Sequence, residues 1–239
     1  MYLKPAERRT LDVRAMRHKT ENALASAYEY SKGKGIRPSP PNKKVGAPQF
    51  NLPALVSCPN ATSACGAACY AQAGHYAMKE PPQMYWGNWV HLHLIGPHRW
   101  EEALRGVVLA GLHGQENGHF RLHSSGDFFS QEYFDAWCAV ARSLPRVRFW
   151  AYTRTTTLDL SNKPKNLVIY ASADHENMAD AVAFASRCGI KMAYMGAETA
   201  ELSGRASFAC PEQQGKVASC VACGLCVHGR GKDVSFAMH

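Results

Sequence analysis

The chain has 239 residues, of which 46% are hydrophobic and 19% charged, a composition that predicts one globular domain with appendages. No run of about 18 apolar residues is present, and the start of the sequence lacks an apolar core, so no transmembrane helix or signal peptide is expected. These features predict a cytoplasmic protein without a membrane partner. The net charge is +8, and residues 1–44 hold 11 Lys or Arg against four Asp or Glu.

Residues 1–48 are predicted to form a basic helical arm and a proline-rich linker. Apolar residues spaced by three and four positions predict a helix over residues 8–31. Pro38, Pro40 and Pro41 then exclude regular structure. The basic residues of 1–44 favour a nucleic acid or a nucleotide as a partner, with a solvated, solubilising tail as the alternative.

After the linker, predicted strands and helices alternate along the chain. Strands are predicted over residues 119–123, 147–152, 167–172 and 191–195, and helices over residues 100–113, 130–143 and 177–187. Alternation at this interval predicts parallel βαβ units. We therefore predict an α/β fold with a partial parallel (β/α) barrel-like sheet and cysteine-rich cluster-binding loops at both ends. Residues 49–204 would form the core, and residues 205–239 a C-terminal cysteine segment.

The C-terminal segment holds four cysteines within 17 residues, as a Cys-Pro pair followed by a C-x2-C-x2-C run: Cys210, Cys220, Cys223 and Cys226. This pattern predicts a four-thiolate metal site, with a [4Fe–4S] cluster as the favoured occupant. Zinc is the alternative, although zinc sites usually combine two C-x2-C pairs that lie farther apart. Disulfide pairing is a third alternative, which the reducing cytoplasm disfavours.

A second cluster, with spacing C-x6-C-x3-C, comprises Cys58, Cys65 and Cys69. Cys65 and Cys69 are predicted to share one helical face. Three thiolates leave one iron of a cubane open, so this site is predicted to be the reactive one. Two alternatives stay open: His75 could complete a Cys3His site, or all seven cysteines could serve one site. The remaining Cys138 and Cys188 fall on apolar helix faces and are predicted to be buried structural residues.

Polar side chains follow three of the predicted strands. Because the C-terminal ends of parallel strands meet at one edge of a sheet, these side chains should share one site. The candidate catalytic residues are His123, Asp127, Arg154, Asp174 and His175. A turn or a helix cap is the alternative role for the two aspartates.

The order of these features resembles that of the radical S-adenosylmethionine enzymes. Those enzymes combine a three-cysteine [4Fe–4S] loop, a partial parallel barrel and, in many members, a C-terminal four-cysteine cluster. Ser125, Gly126 and Asp127 resemble their Gly-Gly-Glu motif, which implies that these residues bind S-adenosylmethionine. The loop of this chain differs from the usual C-x3-C-x2-C spacing.

The chain is also similar to the phage-encoded gene product 88 family. The similarity covers the two cysteine clusters with their Cys-Pro pairs, residues 121–128 (RLHSSGDF) and residues 149–154 (FWAYTR). It implies a phage protein that binds iron–sulfur clusters in the host bacterial cytoplasm.

Two functions are therefore expected. The first is an iron–sulfur redox enzyme or a radical S-adenosylmethionine-like enzyme, which would take its electrons from a donor protein. The second is a nucleic-acid-binding protein with structural iron–sulfur or zinc sites. In that protein the basic arm would contact phosphates, and Tyr85, Trp86 and Trp89 would stack bases. Aromatic runs of this kind belong more often to a core.

Overall fold

The computed structural model describes residue 29, residues 33–78 and residues 80–237. The helix predicted over residues 8–31, and with it most of the basic arm, lies outside the described residues. Among the helices that are described, none has both the length and the apolar character needed to cross a membrane.

Seven helices are present in the described ranges, along with three short 3-10 segments. The helices are α1 (Ser63–Ala67), α2 (Glu80–Ile95), α3 (Trp100–Gly111), α4 (Gln131–Ser143), α5 (Met178–Cys188), α6 (Ala197–Leu202) and α7 (Cys220–Cys223). Helix α4 begins where the sequence predicts, because the Ser130 hydroxyl accepts a hydrogen bond from the Tyr133 N–H at 3.2 Å. Helix α5 ends at Gly189, whose φ of 61° suits glycine.

The strands form one sheet in which every neighbouring pair is parallel. They are β1 (Gln49–Phe50), β2 (Asn117–Leu122), β3 (Arg146–Thr153), β4 (Leu167–Ala173), β5 (Lys191–Met195), β6 (Ser207–Ala209) and β7 (Asp233–Phe236). The strand order is β1-β2-β3-β4-β5-β7-β6. The predicted parallel α/β fold is confirmed.

Strands β6 and β7 extend the sheet with residues from the C-terminal cysteine segment. These strands are not predicted from the sequence, because three or four residues are too few to show an alternating pattern. β7 lies between β5 and β6, and Ala193 pairs with Val234. The C-terminal segment is therefore joined to the core through its main chain.

The two faces of the sheet are covered differently, since successive residues of a strand point to opposite faces. On one face, strand residues such as Phe149 and Ile169 join the helices in the main hydrophobic core. The opposite face, here called the cysteine-covered face, carries Trp150, Tyr152, Val168, Tyr170 and Val234. Cys210, Cys220 and Cys226 pack against it.

The described part of the predicted linker also packs against this body. Ser39 forms an antiparallel bridge with Gln49, through backbone hydrogen bonds of 2.7 and 3.0 Å. Val45 and Ala47 are buried beside Trp150 on the cysteine-covered face. The prolines prevent regular structure here, as predicted, but they do not keep the segment away from the core.

Candidate functional site

The loop that carries the first three cysteines (residues 57–72, the three-cysteine loop) contacts the carboxyl edge of the sheet. The Thr62 hydroxyl donates a hydrogen bond to Asp174, just after β4, at 2.5 Å. The same hydroxyl accepts a hydrogen bond from the Cys65 N–H at 2.9 Å and so caps α1. The Glu176 carboxylate accepts hydrogen bonds from the Ser63 N–H and hydroxyl. Two acidic residues after β4 thus fix the start of the helix that contains Cys65.

The three thiols of this loop lie close enough to influence one another. Burial raises the pKa of Cys58 to about 12, and the charges of Asp127, Cys65 and Cys69 raise it further. Burial also raises the pKa of Cys69, with Cys65 adding to the effect. The neutral thiol forms of Cys58 and Cys69 are therefore favoured in the protein alone, whereas a bound metal cation deprotonates a coordinating thiol. That these three cysteines form one metal site stays a prediction.

The prediction that Cys65 and Cys69 share a helical face is wrong. Helix α1 ends at Ala67, and Cys69 instead precedes a separate 3-10 turn, Tyr70–Gln72. A five-residue helix that buries none of its side chains has little tertiary packing to extend it. The chain therefore changes direction between the two cysteines.

Asp127 connects two strand ends with the three-cysteine loop. Its carboxylate accepts hydrogen bonds from the N–H groups of Phe128 at 2.7 Å and Arg154 at 2.8 Å. Its own N–H donates to the Ser57 carbonyl at 3.2 Å. Burial raises the pKa of Asp127 to about 6, against the effect of the hydrogen bonds it accepts. The carboxylate thus holds together the residues after β2 and β3, and it also lies within electrostatic range of Cys58.

Asp174 and Arg154 form a buried ion pair at the same edge. Arg154 Nη1 lies 2.7 Å from Asp174 Oδ2, and the Asp174 side chain is fully buried. Burial alone would raise the pKa of Asp174, but the Thr62 hydroxyl and Arg154 hold it below its ordinary value. Of the five candidate catalytic residues, the structure brings together Asp127, Arg154 and Asp174.

The two candidate histidines lie elsewhere. The His175 side chain is 65% exposed, with Nε2 3.8 Å from Glu176. His123 is buried, and its Nε2 lies 2.9 Å from the Tyr133 hydroxyl in the main core. Burial and the charge of Arg121 lower the pKa of His123 to about 3, so the imidazole is neutral. Strand β2 ends at Leu122, and His123 adopts a left-handed φ of 55° that breaks the alternation of side chains.

The predicted cofactor-binding residues Ser125 and Gly126 are engaged within the protein. The Ser125 N–H donates to Asn51 at 3.0 Å, and its hydroxyl donates to the Leu52 carbonyl at 2.8 Å. Gly126 has a φ of 87°, and a Cβ there would lie 2.6 Å from Ser57 Oγ. These residues hold the end of β2 against the start of the three-cysteine loop.

The second cluster, residues 210–226 (the four-cysteine segment), is tied to the sheet and to the linker. The Cys210 N–H donates to the Ser235 carbonyl of β7 at 2.9 Å, and the Cys220 N–H donates to the Lys44 carbonyl at 2.8 Å. Gly224 ends α7 with a φ of 71°, which gives the tight turn expected between Cys223 and Cys226.

Three thiols of the four-cysteine segment influence one another. Burial raises the pKa of Cys226 to about 11 against a hydrogen bond with Tyr152, and the charges of Cys210 and Cys220 raise it further. Cys223 is the last residue of α7, one helical turn after Cys220. All nine cysteines of the chain are free thiols, and Cys138 is fully buried in the main core, as predicted.

Within the described ranges, no three His, Cys, Asp or Glu side chains converge closely enough to hold one metal ion. A [4Fe–4S] cluster binds each thiolate to a different iron, so its ligands need not converge on one point. The side chain of His75 lies outside the part of the chain that the structure describes. The alternative Cys3His site therefore stays a prediction.

Three residues beside the cysteine clusters were not singled out from the sequence: Thr62, which caps the helix of Cys65, Glu176, which binds the start of that helix, and Arg121, whose charge reaches Cys220 and Cys226. Thr62 had a local signal, because a threonine before a short helix is a typical cap. Arg121 had one too, since it alternates with Phe120 and Leu122 in β2. Glu176 contacts a segment more than 110 positions away, and no local pattern indicates such a contact.

The aromatic residues proposed to stack bases are largely engaged in packing. Tyr85 is buried and accepts a hydrogen bond from Asn51 at 3.4 Å. The ring of Trp89 packs against Phe129, with centroids 4.9 Å apart. Trp86 lines a small cavity of about 150 Å³. The described contacts of Tyr85, Trp86 and Trp89 therefore do not favour a base-stacking surface at these positions.

Comparison with known proteins decides the family. A family model described as "Gene product 88" matches residues 15–229. The chain belongs to the gene product 88 family. It is 35% identical over 199 residues to the "Gene 88 protein" of Mycobacterium phage L5, covering 76% of this chain and 82% of that protein. It is 34% identical over 200 residues to the "Gene 88 protein" of Mycobacterium phage D29, with the same coverage.

Membership of the gene product 88 family confirms the resemblance to a phage protein family that the cysteine clusters and residues 121–128 predicted. The match spans both clusters and the whole sheet except for β7. No solved structure matches the chain. The resemblance to radical S-adenosylmethionine enzymes stays a prediction.

Proposed function

We propose that this gene product 88 protein is an iron–sulfur protein with a redox function. One cluster would be held by Cys58, Cys65 and Cys69, and a second, fully ligated cluster by the four-cysteine segment. The observation that carries the proposal is that two groups of mutually interacting thiols lie on one parallel sheet. One group is at its carboxyl edge, and the other is against its cysteine-covered face.

Two buried hydrogen-bond donors support the fit of a cluster to the four-cysteine segment. The Trp150 Nε1–H is buried and finds no hydrogen-bond partner in the part of the chain that the structure describes, and the buried Tyr170 hydroxyl interacts with the Cys226 thiol. Trp150 packs with Cys220 and Cys226, and Tyr170 packs with Cys210 and Cys226. Unsatisfied buried donors are costly, and cluster sulfurs accept hydrogen bonds that tune the reduction potential.

The two sites would have different roles because their ligand sets differ. Four thiolates saturate a cubane, which suits electron transfer or structural stabilisation. Three thiolates leave one iron able to bind a substrate, water or S-adenosylmethionine, and Arg154, Asp127 and Asp174 lie beside that loop. An iron–sulfur cluster supplies one-electron chemistry, and its electrons would come from a donor protein.

Metal analysis of anaerobically reconstituted protein tests this proposal. The full-length chain should bind roughly eight irons and a similar number of sulfides if both clusters are [4Fe–4S]. Cys58→Ala and Cys220→Ala should each remove about half of that content, because each disables one ligand set. Cys188→Ala is the matched control, since Cys188 packs against the main core and should leave the iron content unchanged.

Bound zinc without sulfide would contradict the proposal. Equal loss of both clusters in Cys58→Ala and in Cys220→Ala would favour one composite site instead. Incubation of the reduced protein with S-adenosylmethionine forms a separate arm of the experiment. Release of 5′-deoxyadenosine would specify the radical form of the function, and its absence would leave a redox protein without that cofactor.

A further inference from the structure

Arg121 is a buried cation on the cysteine-covered face of the sheet. It lies in β2 between Phe120 and Leu122, which point into the main core, so its own side chain points to the opposite face. The guanidinium carbon lies 4.4 Å from the centre of the Tyr152 ring and 5.9 Å from that of Trp150. The residue is only 8% exposed.

No carboxylate in the described part of the chain neutralises this charge. The guanidinium makes one hydrogen bond there, from Nε to the Leu122 carbonyl at 3.2 Å. The aromatic rings offer a cation–π contact, which offsets only part of the cost of burying a charge. By contrast, Arg154 and Arg205 each pair with an aspartate. Arg121 therefore lies where a counter-anion is expected.

The groups that feel the charge of Arg121 include two thiols of the four-cysteine segment. Burial raises the pKa of Cys220, and Arg121 opposes that rise. Burial likewise raises the pKa of Cys226, and Arg121 again acts in the opposite direction. Trp150 and Tyr152, the two rings that the guanidinium contacts, also pack with Cys220 and Cys226, so the cation and these thiols lie on the same face of the sheet.

We propose that Arg121 is the counter-cation of the cluster bound by the four-cysteine segment, and that it raises the reduction potential of that cluster. The inference rests on the proposed function, because a cluster with four thiolate ligands is the anion that the buried guanidinium lacks. Arg121 acts as a positioning residue through charge, and it is not itself a ligand.

The sign of the effect follows from electrostatics. Reduction adds one negative charge to the cluster, and a nearby buried cation stabilises the reduced form more than the oxidised form. Removal of the cation should therefore make reduction less favourable. We expect a decrease of at least tenfold in the reduction equilibrium constant, which corresponds to about 59 mV for a one-electron couple.

The test measures the midpoint potential of the full-length protein with Cys58→Ala, in which the four-cysteine segment is the complete ligand set. Arg121→Met, added to this background, fills a similar volume with an apolar chain and removes only one side-chain hydrogen bond, to the Leu122 carbonyl, so folding should be retained. Arg121→Lys keeps the charge. Its midpoint potential should therefore differ from that of the Cys58→Ala protein by less than half of the expected shift. Arg148→Gln is the matched control, because Arg148 is an exposed arginine of the adjacent strand.

The inference is supported if Arg121→Met lowers the midpoint potential by the expected amount while Arg121→Lys and Arg148→Gln do not. An unchanged potential in a fully loaded Arg121→Met protein would overturn it and leave the proposed function intact. If Arg121→Met does not fold, the midpoint potential of Arg121→Lys provides the test. A decrease of tenfold or more in its reduction equilibrium constant, despite the retained charge, overturns the inference. A parent chain that takes up no iron and no sulfide refutes the proposed function itself.

Discussion

The three-cysteine loop and the four-cysteine segment share one local device but differ in what surrounds them. In each, a short helix holds a cysteine at its start and is capped by a hydroxyl: Thr62 in the loop and Ser219 in the segment. The loop is then fixed by charged side chains at the strand ends, such as Asp174. The segment is fixed by main-chain hydrogen bonds and by the aromatic face of the sheet.

This difference suggests different physical roles for the two regions. The loop keeps polar groups beside its thiols, and under the proposed function these groups would exchange hydrogen bonds with a substrate. The segment packs Cys210, Cys220 and Cys226 against Trp150 and Tyr170, an aromatic surface that would suit a group held in a fixed position. Each region also has one aspartate–arginine pair nearby: Asp174 with Arg154 beside the loop, and Asp233 with Arg205 beside the segment.

The largest expected effect comes from breaking the pair beside the three-cysteine loop. Arg154→Met leaves the fully buried carboxylate of Asp174 without its cation. We expect the free energy of unfolding to fall by about 3 to 5 kcal/mol, measured by urea denaturation. Arg105→Met is the control, because Arg105 pairs with Glu116 at the surface, and it should cost less than about 1 kcal/mol. Similar losses in the two variants would contradict the structural role of the buried pair.

The next effect concerns the contact between β2 and the start of the loop. Gly126→Ala places a Cβ 2.6 Å from Ser57 Oγ and 2.7 Å from Leu52 Cβ, on a backbone with a φ of 87°. We expect a loss of about 2 to 3 kcal/mol in the free energy of unfolding. Gly204→Ala is matched for positive φ but has no neighbouring atom within 4 Å, so it should cost about 1 kcal/mol. Equal losses would mean that the close contact is not formed.

Removing either of the two helix caps should lower the free energy of unfolding by a smaller amount. Ser219→Ala removes only the cap of α7 and should cost about 1 kcal/mol. Thr62→Val removes the cap of α1 and the hydrogen bond to Asp174, so it should cost about 1.5 kcal/mol. Both values come from denaturation of the two variants under identical conditions. A larger loss for Ser219→Ala would reverse the comparison between the two regions.

Most helices and strands of the core could be predicted from the sequence, because the patterns that indicate them are local. Helix α4, with its Ser130 cap, and strand β5 lie at their predicted positions, and the parallel sheet follows from the alternation. Strands β6 and β7 were missed because they are short. The helical face shared by Cys65 and Cys69 was wrongly predicted, because spacing alone does not reveal that the intervening helix buries nothing.

The candidate site was predictable only where residues follow strands. Asp127, Arg154 and Asp174 were found because parallel strands end at one edge. His123 and His175 satisfy the same rule, yet one backbone torsion directs His123 into the core and His175 faces solvent. The role proposed for Arg121 depends on which segment covers its face of the sheet, and that is a long-range property.

The smallest expected effect is the contribution of the Asp233–Arg205 pair to the pH dependence of the free energy of unfolding. Burial alone would raise the pKa of Asp233, but Arg205 and the N–H of Met192 hold it below the ordinary value of 3.8. A lowered pKa contributes stability above the ordinary value, and that stability is lost as the pH falls through the pKa of the folded state. The free energy of unfolding should therefore decrease below about pH 4, and Asp233→Asn should flatten this decrease.

Denaturation of the parent chain and of Asp233→Asn at several acidic pH values measures that slope. Asp135→Asn changes an exposed carboxylate on α4 and should leave the slope as it is. Asp174 also has a lowered pKa, so part of the decrease should persist in Asp233→Asn. Because Asp233 alternates with Val234 in β7, it points to the face of the sheet opposite the thiols, and its share of the slope should be the same before and after iron loading. A change on loading would mean that the two sides of the sheet are coupled, and that the four-cysteine segment is less fixed than its main-chain contacts indicate.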